Sequence, residues 1–341
     1  MTAAPIISFS ACGAPSAERR MTEASARNKV AHGLPAASRS YATRCKHEAP
    51  HSGNALNVAQ YSELLAGLYS AVTESSMPYL HVNGINLYYE WHGPEMGDVV
   101  ILNNGIFMSA ASWAFQVVDL RKRYRVLAWD MRGQGQSEHP DMEYTMALHA
   151  DDLAALMDAL DIEHAHMVGT SYGGSISLIM GLRHPARTRS AMAICSIAKS
   201  DALSAAMFER WRLAALLGDG ELFFRLVHAD VYSERFLAER TDLVPAALQR
   251  YATLDLKAAV RLLECFQRYD ISAELPMLKT PTCVVAAERE ILKIRAHVEE
   301  IHRAVPGSEF HLIPNAGHVA VLERAAEVNT LILGWLAKQA S

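Results

Sequence analysis

The residue pattern with the most chemistry in it is a serine held between two glycines. Ser171 lies in Gly169-Thr170-Ser171-Tyr172-Gly173, a G-x-S-x-G string followed by Gly174 and a small-residue helix start. A serine on a sharp turn between a strand and a helix is held in a strained backbone conformation. Side chains at the flanking positions would collide with the neighbouring strand and helix, so both flanks are glycine. The turn lifts the hydroxyl into a cleft and aims the first amides of the next helix at the spot where an oxyanion would form. The context fits: His164-Ala165-His166-Met167-Val168 reads as a strand leading in, and Ile176, Leu178, Ile179, Met180 and Leu182 read as a helix leading out.

A serine hydroxyl is a poor nucleophile at neutral pH and needs a base in contact. The chain has 15 histidines, so position must choose among them. His318, in Pro314-Asn315-Ala316-Gly317-His318, follows a late strand and precedes the last helix, where loops from strand ends gather. A carboxylate should fix the imidazole tautomer and stabilise its charged form. Glu288 and Glu290 follow the strand ending at Ala287, and Asp201 follows the preceding strand. Glu290, further into its loop, is preferred. Two backbone amides should hold the oxyanion. One is that of Tyr172, directly after the serine. The other is Ile106, in the loop Asn103-Asn104-Gly105-Ile106-Phe107, where Gly105 permits a tight turn.

Elements must bring these distant residues together. Tyr79–Val82 and Ile85–Trp91 flank Asn83-Gly84, a hairpin signal. Strands are expected at 98–103, 124–130, 189–195, 282–286 and 309–313. Helices are expected at 112–120, 144–160 and 321–338. Strand and helix alternate, which argues for a mostly parallel sheet flanked by helices. The rhythm stops between about residues 198 and 275, a helical stretch rich in Leu, Ala, Phe and Arg that reads as an inserted cap. The expected organisation is a core of 77–197 and 276–341 with a cap at 198–275. Residues 1–76, rich in Ala, Ser, Arg and Asn, read as a disordered extension with a short helix near 57–73. Met77 is a natural start for the compact part, so translation is expected to begin there. The alternative is a targeting peptide, since basic residues exceed acidic ones over 19–46.

Composition bounds the rest. The chain has 341 residues, 50% hydrophobic and 20% charged, which suits a large globular core. A net charge of -5 and the absence of a basic stripe give no reason to expect nucleic acid. No apolar run approaches the ~20 residues of a membrane helix. The five cysteines are scattered without a C-x-x-C pair, which reads as cytoplasmic thiols and no structural metal.

The order Ser171, acid, His318 within an interrupted alternating sheet resembles the α/β-hydrolase superfamily. Asp130-Met131-Arg132-Gly133-Gln134-Gly135-Gln136-Ser137 is similar to the D-x-R-G-x-G-x-S loop that superfamily carries after its fourth strand. Thr280 to Glu290 is similar to the strand and loop bearing the family acid, which puts that acid at Glu290. Gly317-His318 matches the family Gly-His. The resemblance covers about residues 79–338 and implies an α/β-hydrolase fold with an inserted helical cap. Two departures stand out: Asn104-Gly105 where His-Gly is usual, and Glu where Asp is usual. Asn-Gly at this loop also resembles relatives handling 3-hydroxyacyl chains, among them polyhydroxyalkanoate depolymerases and carrier-protein transacylases.

The activity expected is hydrolysis of a carboxylic ester, lactone or thioester through an acyl-serine, with no cofactor and a small-molecule acyl substrate. Acyl transfer to an alcohol or thiol is the alternative within the same machinery, and a non-catalytic small-molecule receptor the alternative outside it. Ser171 speaks against dehalogenation, which prefers a carboxylate there. Met207, Phe208, Trp211, Leu213, Leu216, Leu222, Phe223, Phe224, Leu226 and Val227 are the cap residues apolar enough to line an acyl pocket, with packing inside the cap as the alternative. Phe107, Met108 and Trp113 lie near the oxyanion loop. The sequence leaves the oligomeric state open.

Overall fold

A computed structural model of the protein describes residues 79–339. The disordered extension expected at 1–76, its short helix and Met77 lie outside the described residues.

Eight strands form one sheet: β1 (Tyr79–Val82), β2 (Ile85–His92), β3 (Val99–Asn103), β4 (Arg125–Trp129), β5 (Ala165–Thr170), β6 (Thr188–Ile194), β7 (Thr282–Ala287) and β8 (Glu309–Ile313). Their order is β1-β2-β4-β3-β5-β6-β7-β8. The β1–β2 and β2–β4 pairs are antiparallel and every later pair is parallel. Asn83-Gly84 turns the first hairpin with both residues at positive φ, 47° and 77°. The central strands β3, β5 and β7 are buried at every position. Strands covered on both faces must be apolar throughout rather than alternating.

Helices supply the cover. The described α-helices outside the long insertion are α1 (Ala114–Leu120), α2 (Met146–Ala159), α3 (Tyr172–Arg183), α9 (Arg295–Ala304), α10 (Ala320–Glu323) and α11 (Ala325–Lys338). Successive strand residues face opposite sides. Val100, Leu102 and Val168 pack with Trp113, Val117, Ile332 and Trp335 on one face. Ile101 and Met167 pack with Leu153, Leu156, Ile176 and Val298 on the other.

Between β6 and β7 the sheet is interrupted by α4 (Ala202–Leu216), α5 (Gly220–Val231), α6 (Glu234–Glu239), α7 (Val244–Ala252) and α8 (Leu256–Gln267). Four of these begin on a side-chain cap. Asp201, Asp219, Ser233 and Asp255 each accept a backbone N–H from the first turn of the helix that follows.

Two elements differ from the sequence expectation. Helix α9 was not anticipated: no side chain caps its start at Ile294, and its buried face is only His297, Val298 and Ile301. The single helix expected at 321–338 is two pieces, broken at Arg324, whose φ of -133° leaves the helical region.

Candidate active site

Strand β5 ends one residue before Ser171, and α3 begins one residue after it. Ser171 has φ 56° and ψ -117°, a region that costs a non-glycine residue about 1–3 kcal/mol. The backbone around it is over-determined. Its N–H donates to Ile194 O at 2.7 Å, and its carbonyl accepts from Ser175 N at 3.2 Å and Ser196 Oγ at 3.0 Å. A Cβ at residue 169 would stand 2.1 Å from Gly173 O, and one at 173 would stand 2.0 Å from Asn103 O. The helix start therefore lies directly on β5 and on the end of β3, which only glycine at both positions allows.

His318 comes from the loop after β8, and Glu290 from the loop after β7. The structure brings both to the serine. Ser171 Oγ donates to His318 Nε2 at 2.8 Å, and His318 Nδ1 donates to Glu290 Oε1. All three residues are buried. The tautomer follows from this arrangement: a proton on Nδ1 faces the carboxylate, which leaves Nε2 free to accept from the hydroxyl.

The other carboxylates are engaged elsewhere. Glu288 is exposed at the surface, and its Oε2 accepts the Asn315 amide at 2.8 Å. Asp201 caps α4 and hydrogen-bonds His297 Nε2 at 3.0 Å. Cys195, at the end of β6, sets its thiol near Glu290 and His318, with the three candidate ligand atoms within 4.8 Å of one another. Burial, and then the Glu290 charge, hold that thiol well above its usual range. The imidazole is already engaged on both ring nitrogens, by Ser171 and by Glu290.

The loop after β3 lies against the serine. A Cβ at Gly105 would be 3.5 Å from Ser171 Cβ and 2.8 Å from Met108 Sδ. Phe107 takes φ 63°, and its carbonyl accepts from Arg250 Nη1 of α7 at 3.2 Å. The Ile106 amide lies between these two fixed points. The Tyr172 amide is the first of α3, and the opening amides of a helix have no partner within it.

Asn104 points away from the serine. Its Nδ2 donates to Trp129 O at 2.8 Å and to Asp130 Oδ1 at 3.3 Å, and its Oδ1 accepts the Trp113 indole at 2.8 Å. It is a fully buried brace between this loop and the end of β4. The Asp130–Ser137 loop is the other half of that brace. Asp130 accepts Ala110 N at 2.6 Å and Gln136 N at 2.8 Å, and burial pushes its carboxyl up to about 6. Arg132 pairs with buried Asp152 through two nitrogens, at 2.8 and 2.7 Å.

One residue at the centre had no sequence signal. Lys293 is 1% exposed, and its Nζ donates to Ser171 Oγ at 3.1 Å. Burial pulls its ammonium down to about 7, against the pull of the Glu290 charge in the other direction.

The inserted helices set an aromatic wall beside these groups. Phe107 packs on Trp211 and Phe223, Phe208 on Trp211 and Phe266, and Phe266 on Tyr172. Tyr172 also donates its hydroxyl to Cys265 Sγ at 3.1 Å. Of the ten apolar residues expected to line a pocket, Phe208, Trp211, Phe223, Phe224 and Val227 are buried, and Met207 is partly so. Leu213, Leu216, Leu222 and Leu226 instead face solvent, on the outer sides of α4 and α5. No described helix is long and apolar enough to cross a membrane.

Known proteins share this architecture. A family model described as the alpha/beta hydrolase fold matches residues 98–325. A protein provisionally named carbamate hydrolase RutD, from Variovorax paradoxus, is 31% identical over 257 residues, 74% of this chain and 96% of the relative. The 3-oxoadipate enol-lactonase 1 of Acinetobacter baylyi is 24% identical over 256 residues, 74% of this chain and 94% of its own. Among solved structures, an alpha/beta hydrolase enzyme from a Medee basin deep-sea metagenome library aligns with a TM-score of 0.71 at 28% identity, over 76% of this chain and 97% of that one.

Proposed function

The chain belongs to the α/β hydrolase fold family and is a hydrolase acting on ester-type bonds, and we propose that it works through an acyl-serine formed on Ser171. His318 takes the hydroxyl proton as Oγ attacks the substrate carbonyl. Glu290 stabilises the imidazolium that results. The amides of Ile106 and Tyr172 hold the oxyanion, each contributing roughly 3 kcal/mol to lowering the barrier. His318 then gives its proton to the leaving group, and water, activated by the same imidazole, releases the acid. Residues 198–275 act as a cap whose aromatic wall meets the acyl group, over a core of 77–197 and 276–341.

The observation that carries this reading is the unbroken hydrogen-bond chain from Glu290 through His318 to Ser171 Oγ. The three residues come from three loops, 28 and 147 residues apart along the chain. The substrate bond is a carboxylic ester, lactone or thioester. The relatives' names add the enol-lactone and the carbamate as bonds to assay. Cys195, Cys265 and Cys283 are free thiols, which supports a reducing, cytoplasmic setting.

A fluorophosphonate probe, together with p-nitrophenyl esters of graded chain length, tests the reading. Labelling on Ser171, and loss of turnover in Ser171→Ala with an unchanged melting temperature, are expected. An unlabelled protein, or an alanine variant with wild-type turnover, overturns it.

A further inference from the structure

The mechanism just given leaves the buried Lys293 unused. Lys293 follows Glu290 by three residues, and its backbone N–H donates to Glu290 Oε1 at 2.9 Å. That turn sends the side chain inward. Its Nζ meets Ser171 Oγ at 3.1 Å and lies 4.3 Å from the centroid of the Phe266 ring. Glu290, the carboxylate whose charge it feels, takes His318 and the Lys293 amide on Oε1 alone, and its Oε2 is buried without a hydrogen bond. Among the described residues no carboxylate forms an ion pair with this nitrogen.

A desolvated ammonium is costly unless an anion takes it. One neutral hydroxyl and one ring face are weak compensation for a group with three donors. The missing partner would lie within reach of the atom that attacks the substrate. His318 must face the leaving group in order to protonate it, and Lys293 approaches Oγ as a separate neighbour. The acyl part is what remains beside Oγ through both steps.

We propose that Lys293 selects the substrate by receiving a carboxylate carried on its acyl part, so that the preferred substrates are half-esters or lactones of short dicarboxylic acids. This rests on Ser171 being the nucleophile. A carboxylate oxygen about 2.8 Å from Nζ lies within about 7 Å of the acyl carbon. That reach fits roughly one to three carbons between the two carbonyl groups. Lys293 is 1% exposed and its ammonium lies against the Phe266 ring, and that burial strengthens the pairing. Selection weakens as the ammonium deprotonates.

The test is the ratio of kcat/KM for p-nitrophenyl hemiglutarate to that for p-nitrophenyl butyrate. In the wild type at pH 6 the ratio is expected to favour the charged ester by about tenfold or more. In Lys293→Met, which keeps an unbranched stem, it should fall by about tenfold. The wild-type ratio should also fall as pH rises through about 7, the value to which burial brings the free lysine. His318 and Glu290 serve both esters alike, so their contribution cancels in the ratio. The Cys195 thiol, held well above its usual range, stays protonated. The substrate carboxylate is ionised throughout this range. The pH series uses the unmodified enzyme and so reads the same quantity if Lys293→Met does not fold.

A wild-type ratio near one, a ratio unchanged in Lys293→Met, or a ratio flat from pH 6 to 9 overturns the role of Lys293. Ser171→Ala separates the two readings: full turnover there removes the nucleophile assignment itself. An inactive Ser171→Ala beside an unchanged Lys293→Met ratio removes only the selection.

Discussion

Arg250 reaches from helix α7 to the carbonyl of Phe107, the residue at φ 63° in the loop beside Ser171. The inserted helices thus hold part of the loop after β3 in place as well as walling the site. Arg250 also lies over its neighbour Tyr251, 4.9 Å from the ring centroid, which limits where the guanidinium can go. Replacing it by alanine removes one hydrogen bond of about 1 kcal/mol at a partly exposed position. Arg250→Ala is expected to lower kcat by roughly fivefold with little change in melting temperature. Ester kinetics beside a thermal melt would check this; an unchanged kcat would show that the loop holds its shape without the arginine.

Glu290 and Glu288 stand two residues apart in different surroundings, one buried against His318 and the other exposed against Asn315. Glu290→Gln keeps the size of the side chain but removes the charge that stabilises the imidazolium. A loss in kcat of about 10³–10⁴ is expected, by analogy with triads whose acid is neutralised. Glu288→Gln should stay within about twofold, since the amide oxygen still accepts the Asn315 N–H. Equal losses in the two variants would mean the acid has been assigned to the wrong residue.

Asn104 satisfies a buried carbonyl at Trp129 and a buried indole at Trp113. Alanine there leaves both without a partner, each at about 1–3 kcal/mol. Asn104→Ala is expected to lose about 2–6 kcal/mol of stability in urea unfolding. Activity should fall as well, because the braced loop carries the Ile106 amide. A variant as stable as the parent would mean that water replaces both bonds.

Asp130 links stability to pH. Its folded value of about 6 lies above the ordinary 3.8, because burial disfavours the charged form more than its hydrogen bonds favour it. The folded state therefore holds a proton that the unfolded chain has released between these two values. The contribution is fully present below about 4 and is lost as pH rises to about 6. The wild type should lose about 2 kcal/mol between pH 4 and pH 6 relative to Asp130→Asn. Paired denaturant unfolding curves at pH 4, 5 and 6 measure the difference; parallel pH dependences would contradict it.

The residues at the site were unequally legible. Ser171 is set by local chemistry, since two glycines and a tight turn are written within five positions. His318 and Glu290 were found by their place after strands, because a parallel sheet delivers successive strand ends to one side. Asn104 stood out as a departure from a pattern, and its brace to Trp129 and Trp113 required the fold. Lys293 was missed for a physical reason. Nothing adjacent distinguishes a lysine turned inward from one in solvent, and the deciding contacts come from Phe266 and Ser171, 27 and 122 positions away in sequence. Leu213, Leu216, Leu222 and Leu226 show the converse error. Their apolar character was legible, but the side of α4 or α5 they occupy was not. Helix α9 lacked a capping side chain, and its short apolar face of three residues gave little periodic signal.

The hydrogen bonds to Ile194, Ser175 and Ser196 that hold residue 171 all use its main chain, and none uses Oγ. The position is therefore a socket whose aim does not depend on what is plugged into it. The backbone alone sets the direction of Cβ at 171, so a substitution there keeps that direction whatever side chain it carries.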